Sequence, residues 1–411
     1  MTRQSSTDSP FDQIVERRGT GCVKWDETPT FHMREEYTTG EVIPLWIADM
    51  DFAVAPPIQE AIRRRAEHPV YGYTHVGDTY YEAVVNWFRQ RHGWTIDRQS
   101  ILYTTGVVPA MSVTVKALTM PGERVLILSP DYNCFFSSIR NNGCQVAESS
   151  LLRSPSNVFE VDWADFERQC ADGKTTMFLL CNPHNPTGRV WTRQELQRMA
   201  DICHRHRVAI VSDEIHCELV MPGSTFVPMA TVAPDAIVLN SPSKSFNIAG
   251  LMMANIFCND QETRRRIDRA ININEVCDVN PFAPVAFTAA YNEGAKWIDA
   301  LNKYLWENYT CLRTFIDQEM PELSVMPLEG TYLVWVDITA TGLTSQQYTD
   351  HVLSKAGVWI NPGTMYGEHS GEGYVRINIA CPRKQLMEAL QRMAEQAHPI
   401  SASYPFGPQP R

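Results

Sequence analysis

Residues 176–188, TMFLLCNPHNPTG, pass from an unbroken apolar run into a loop carrying two Asn-Pro pairs. The run Thr176–Cys181 is short, β-branched at its start and bounded by turn residues, which predicts a buried strand. Each proline restricts the residue before it, so Asn182-Pro183-His184-Asn185-Pro186-Thr187-Gly188 forms a stiff loop at the strand's carboxyl end. Outward from this point the same pattern recurs. Arg124–Leu128, Val208–Ser212, Ala236–Leu239 and Met253–Phe257 are further apolar runs, separated by segments of helical periodicity. Thr192-Arg193-Gln194-Glu195 has the spacing of a capping box, followed by Leu196, Met199, Ala200 and Cys203 at helical intervals. Near-continuous apolar strands alternating with helices predict an α/β fold with a mainly parallel sheet covered on both faces.

The ends of the chain differ. Thr331–Asp337 (TYLVWVD) and Tyr374–Ala380 (YVRINIA) alternate like half-exposed antiparallel strands, beside a helix over Arg383–Gln396. The reading is a large domain over 60–290, with a smaller α+β domain built from both termini, 1–59 and 291–411. The tail after His398 is expected to be loose.

Composition narrows the class of function. The chain has 411 residues, 36 basic against 47 acidic, and a net charge of −11, which argues against a nucleic-acid or anionic-membrane surface. Arg63-Arg64-Arg65 and Arg264-Arg265-Arg266 fall in helix-like stretches and are expected to be solvated faces. No apolar stretch reaches the roughly 18 residues of a membrane span, and the first ten residues lack a signal-peptide core. Eleven scattered cysteines fit reduced thiols in a cytoplasm. Cys203-His204-Arg205-His206 and His216-Cys217 lack a partner pair at metal-ligand spacing, so no metal is expected.

Ligands collect at the carboxyl ends of strands in open α/β sheets, and five unusual groups fall at such ends. Gly106, Val107 and Val108 open a helix after an Ile101–Tyr103 strand, where backbone N–H groups can face an anion; a plain helix start is the alternative. Asn185 sits in the stiff loop as a fixed donor. Asp213, in Asp213-Glu214-Ile215-His216, is a deep carboxylate that needs a cation or donors, such as a protonated ring nitrogen or neighbouring backbone N–H groups. Lys244, in Ser241-Pro242-Ser243-Lys244, is a candidate Schiff-base nucleophile. Arg376, with apolar neighbours, suits bidentate capture of a carboxylate or a structural ion pair.

The order of these motifs resembles the class I/II aminotransferase superfamily, fold type I of the pyridoxal 5′-phosphate (PLP) enzymes, over nearly the whole chain. VKWD (Val23–Asp26), LWIADMDF (Leu45–Phe52), YGYT (Tyr71–Thr74), GVVPA, NPHNPTGRVWT, SDEIHCEL, SKSFNIAGL and RINIACPR are similar to its cystathionine β-lyase / cysteine-S-conjugate β-lyase branch, the MalY/PatB type.

The resemblance implies PLP as cofactor, held by Lys244 as a Schiff base, with the same lysine moving protons. Asp213 then pairs with the ring nitrogen and Asn185 with the ring's 3-oxygen, a position where His216 replaces the tyrosine of many aminotransferases. Tyr132 stacks on the ring. Ser241, Ser243 and the Gly106–Val108 turn hold the phosphate, and Tyr73 reaches the phosphate of the neighbouring subunit in a homodimer. Arg376 takes the substrate α-carboxylate, with the backbone near Ala48 and with Asn185. One departure is Met252, eight residues after Lys244, where many aminotransferases have a cation.

The implied activity is C–S β-lysis of cystathionine or related cysteine conjugates to a thiol, pyruvate and ammonia. Transamination of a neutral or aromatic amino acid uses the same residues and is the alternative. A non-enzymic regulator is the third reading, disfavoured because Asn185, Asp213, Lys244 and Arg376 are all present.

Overall fold

The protein is described by a computed structural model covering residues 9–27 and 41–397. The tail after His398 and residues 1–8 lie outside the described residues. The chain divides into two compact units, one of 53–303 with 327–331, the other of 1–52, 304–326 and 332–411. The seams expected at 59/60 and 290/291 fall inside the helices Pro56–Ala66 and Ala283–Glu293. The seams of the structure lie instead at 52/53, ahead of the first of these helices, and at 303/304, within the longer helix Ala295–Glu319.

The larger unit is built on a seven-stranded sheet: β1 Ile101–Thr104, β2 Arg124–Ser129, β3 Gln145–Ser150, β4 Thr175–Cys181, β5 Ala209–Asp213, β6 Ile237–Asn240 and β7 Ala254–Phe257. Their order is β1-β7-β6-β5-β4-β2-β3. All neighbours are parallel except that β7 runs antiparallel to both β1 and β6. Two reversals cancel, so β1 points the same way as the other five. The carboxyl ends of six strands therefore share one edge.

The core follows from the strand composition. Val125, Ile127, Met177, Leu179, Val211, Ile237, Leu239 and Ile256 pack with Ala110, Met111 and Val115 of α1, Val107–Leu118, and with Ile267 and Ile271 of the helix Gln261–Ile273. The capping box forms as the spacing predicts. Thr192 accepts from the Glu195 amide while Glu195 returns a bond to the Thr192 amide, starting the helix Arg193–His206.

In the other unit, β8 Ser324–Val325, β9 Leu333–Asp337, β10 Asn361–Pro362 and β11 Tyr374–Asn378 form an antiparallel sheet in the order β8-β9-β11-β10. These strands are not half exposed. All of β9 is buried, and so is β11 after its first residue. The polar members of the alternation, Arg376 and Asn378, bond backbone carbonyls of residues 46–49 instead of water. Polarity in the pattern therefore marks a buried polar contact, not a solvent face.

The two arginine runs are solvated faces, as expected. Arg63 pairs with Glu60 at 2.8 Å and with Glu67, and Arg265 pairs with Glu262. No helix among the described residues is long and apolar enough to cross a membrane.

Candidate active site

The shared edge of the larger unit gathers the motif residues. Strand register sets Asp213 level with Cys181 on β4 and Leu239 on β6. The NPHNPTG loop leaves β4 beside it, and the Asn182 amide donates to the Asp213 carbonyl at 2.9 Å.

That loop is pinned from inside. His184 is buried and neutral, its pKa lowered to about 3 by burial. Its Nε2 lies 3.3 Å from the Leu128 carbonyl and its Nδ1 2.8 Å from Thr187 Oγ1. A carbonyl only accepts, so Nε2 carries the proton and Nδ1 accepts from the threonine. The Asn182 side chain donates to the Val227 carbonyl at 3.1 Å, and the Asn185 amide to Cys181 Sγ at 3.4 Å. Gly188 has φ +74°, a conformation that other residues adopt poorly. These bonds fix the buried Asn185 on a rigid frame.

Asp213 is buried and its carboxyl is raised to about 7. Burial pushes it up, while the Ile215 amide at 3.1 Å and the charge of Lys244 pull it down. Lys244 follows β6 in the turn after Asn240 and is half-buried. His216 is buried in the tight turn after Asp213. Tyr132 precedes the helix Asn133–Asn141 and is half-buried, its amide held by Asp131 Oδ1 at 2.7 Å.

The turn before α1 takes the predicted form. Gly106 has φ +143°, a conformation other residues adopt poorly, and the first-turn N–H groups of Val107 and Val108 follow it. The buried Ser241 hydroxyl donates to the Met253 carbonyl at 2.8 Å and accepts the Ser243 amide at 3.2 Å, bonds that shape the lysine turn. Ser243 remains half-buried in that turn. Tyr73 is 97% exposed on this chain, and Met252 is 59% exposed.

Arg376 and Ala48 belong to the smaller unit. Arg376 is buried on β11, donates to the Trp46 carbonyl at 2.8 Å and lies 4.6 Å above the Tyr366 ring centre. The Ala48 carbonyl accepts the Tyr332 hydroxyl at 3.0 Å.

Three groups beside Asp213 escaped the sequence reading. Asp131 is buried and raised well above the usual carboxyl range by burial, with the Tyr132 amide opposing and the Asp213 charge adding to it. Glu214 is raised to about 8, again by burial, against hydrogen bonds from the Met229 amide and Ser212. Cys134 is half-buried, its thiol pushed up by burial within electrostatic reach of Lys244 and Asp213. Neighbouring positions in PDYNC and SDE were the available signal. Only the fold says that both acids turn inwards.

The chain belongs to the aminotransferase class I and II family, which it matches over residues 41–393. Within that family it is 36% identical over 387 residues to cystathionine beta-lyase PatB of Bacillus subtilis, covering 93% of this chain and 98% of that protein. It is 35% identical to protein MalY of Escherichia coli, covering 92% and 95%. Among solved structures, cystalysin from Treponema denticola, which contains a pyridoxal 5′-phosphate cofactor, superposes with a TM-score of 0.89 at 32% identity, covering 94% and 98% of the two chains.

Proposed function

We propose that the protein is a PLP-dependent carbon–sulfur β-lyase that cleaves L-cystathionine or a related cysteine conjugate to a thiol, pyruvate and ammonia. The observation that carries the reading is the buried Asp213 carboxyl within electrostatic reach of Lys244 at the shared strand edge. The likeness to PatB, MalY and cystalysin over nearly the whole chain supports the lyase chemistry.

The residues suit the cofactor. A buried carboxyl raised to about 7 is a costly group by itself, and a protonated ring nitrogen would favour its ionised form. Asn185 on its rigid loop is a fixed donor for the ring's 3-oxygen, with His216 beside the same strand end. Tyr132 offers a ring for stacking. The Gly106–Val108 turn, Ser241 and Ser243 would hold the phosphate. Bound PLP supplies an electron sink for the charge left on the substrate when its α-proton departs.

The chain's own groups do the rest. Arg376 orients the substrate by its α-carboxylate, beside the Ala48 segment. Lys244 Nζ accepts the α-proton. Asp213 would stay ionised by pairing with a protonated ring nitrogen. The Cβ–S bond then breaks, the sulfur leaves as thiol, and water releases pyruvate and ammonia.

The working form is a homodimer in which Tyr73 of one subunit serves the phosphate site of the other, a reading supported by its exposure on the single chain. Eleven free cysteines support a reducing, cytoplasmic compartment.

The test is an end-point assay on L-cystathionine with and without a 2-oxo acid. Pyruvate and thiol in equal amounts, independent of the 2-oxo acid, are expected. Amino-acid product that requires the 2-oxo acid, without thiol, would replace lysis by transamination.

A further inference from the structure

The VKWD motif, Val23–Asp26, lies outside the residues assigned so far, yet its lysine is buried deeply. The Lys24 side chain is 0% exposed and its Nζ lies 2.9 Å from Asp51 Oδ2, 3.7 Å from Asp49 Oδ1 and 3.3 Å from the Asp49 carbonyl. Asp51 also accepts from Arg17 at 2.7 Å, Trp25 Nε1 at 2.8 Å and Gln385 at 3.0 Å. Arg17 closes the other side on Asp49 at 2.8 Å. Two cations face two carboxylates, so the cluster is neutral.

An ion pair this deep is weak evidence of stabilisation, since desolvation consumes much of the attraction. Its geometry points to another role. The segment Trp46–Asp49 offers four consecutive carbonyls to side chains. Trp46 accepts from Arg376 at 2.8 Å and Asn361 at 2.9 Å, Ile47 from Asn378 at 2.7 Å, and Ala48 from Tyr332 at 3.0 Å. Asp49 accepts from both Asn378, at 2.7 Å, and Lys24. Asn378 is two residues from Arg376 on β11, so their side chains leave the same face. Stacking of Trp46 on Trp359, 4.2 Å between centres, holds the segment's other end.

We propose that Lys24 is a positioning residue for substrate-carboxylate capture. Through the Asp49 carbonyl and the Asp51 carboxylate it sets the row of carbonyls that aims Arg376. Without it the row loses the anchor at its far end, and the guanidinium loses its alignment while keeping its charge. The inference rests on the reading of Arg376 as the carboxylate-binding residue.

The experiment uses the PLP-loaded protein and compares Lys24→Met, Lys24→Arg and Arg376→Lys. Probes are L-cystathionine for KM and kcat, and L-alanine and ethylamine as binders that differ by the carboxylate. Lys24→Met is expected to raise KM and the L-alanine dissociation constant about tenfold, short of the roughly hundredfold that an ångström of misplacement costs. Ethylamine binding should hold and kcat stay within about twofold, the pattern of lost uniform binding. Lys24→Arg should recover most of the affinity. Unchanged L-alanine affinity in Lys24→Met, with affinity lost in Arg376→Lys, overturns the proposal alone. Unchanged affinity in Arg376→Lys overturns the reading beneath it. If Lys24→Met does not fold, Lys24→Gln, whose amide nitrogen ends one bond short of Nζ and carries no charge for Asp51, takes its place in the same comparison. Loss of PLP from both would make Lys24 a stability residue and end the proposal.

Discussion

The Arg376 guanidinium donates to the Trp46 backbone carbonyl at 2.8 Å, so a main-chain oxygen helps to orient the strand's arginine. A carbonyl orients the cation without neutralising it.

Arg376→Lys keeps that charge but loses the planar fork. Losing charge-assisted hydrogen bonds to the substrate should cost about 1.5–3 kcal/mol. That is roughly 10- to 150-fold in affinity. Titration with an inert substrate analogue, with PLP occupancy measured in parallel, reads both quantities. Normal analogue affinity in a fully occupied variant would remove Arg376 from the site.

Asp213 gives the cofactor-free chain a pH dependence with a defined sign. Its folded pKa, about 7, lies above the unfolded value of ~3.9. Its contribution to stability is therefore full below the unfolded value and lost as pH rises through about 7. Asp131 and Glu214, also raised by burial, act in the same direction. Urea midpoints of the cofactor-free chain between pH 5 and 8 should fall with pH, and fall less in Asp213→Asn. Equal slopes in the two chains would show that Asp213 does not titrate in this range.

Glu218 should behave oppositely. Burial raises its carboxyl, but hydrogen bonding to His92 at 2.6 Å, the charges of His92 and Arg91, and Trp87 Nε1 at 2.7 Å outweigh that and hold it below the usual value. The stability it provides is present above its unfolded pKa of ~4.3 and lost as pH falls through the lower folded value. Glu218→Gln leaves Arg91 and His92 without their buried partner and should cost about 3 kcal/mol at neutral pH. A denaturation midpoint unchanged from the parent chain would count against this account.

Subunit mixing tests the shared site. Tyr73→Phe and Lys244→Ala proteins should each be impaired, and exchange between them should restore part of the activity because one hybrid site is intact. Borohydride treatment should fix PLP to the Tyr73→Phe chain and not to the Lys244→Ala chain. Proven exchange without recovery would place Tyr73 and Lys244 in the same subunit's site.

Much of this protein is determined by local sequence. The apolar runs ending in Cys181, Asp213 and Asn240 are strands because seven residues or fewer between breakers are too short for a buried helix. Glycine at 106 and 188, and the Thr192–Glu195 cap, are equally local, since backbone conformation and one-turn hydrogen bonds involve only near neighbours. The carboxyl-end loops, with Asn185, Asp213 and Lys244, were legible for the same reason. Tertiary structure alone decided what depends on groups distant along the chain. The alternation in β9 and β11 looked half-exposed until the carbonyls of 46–49 covered Arg376 and Asn378. The burial of Lys24 needs Asp51, Arg17 and Gln385 to converge from three separate stretches. A pattern records which residues can be buried; a polar residue's partner is set by the whole fold.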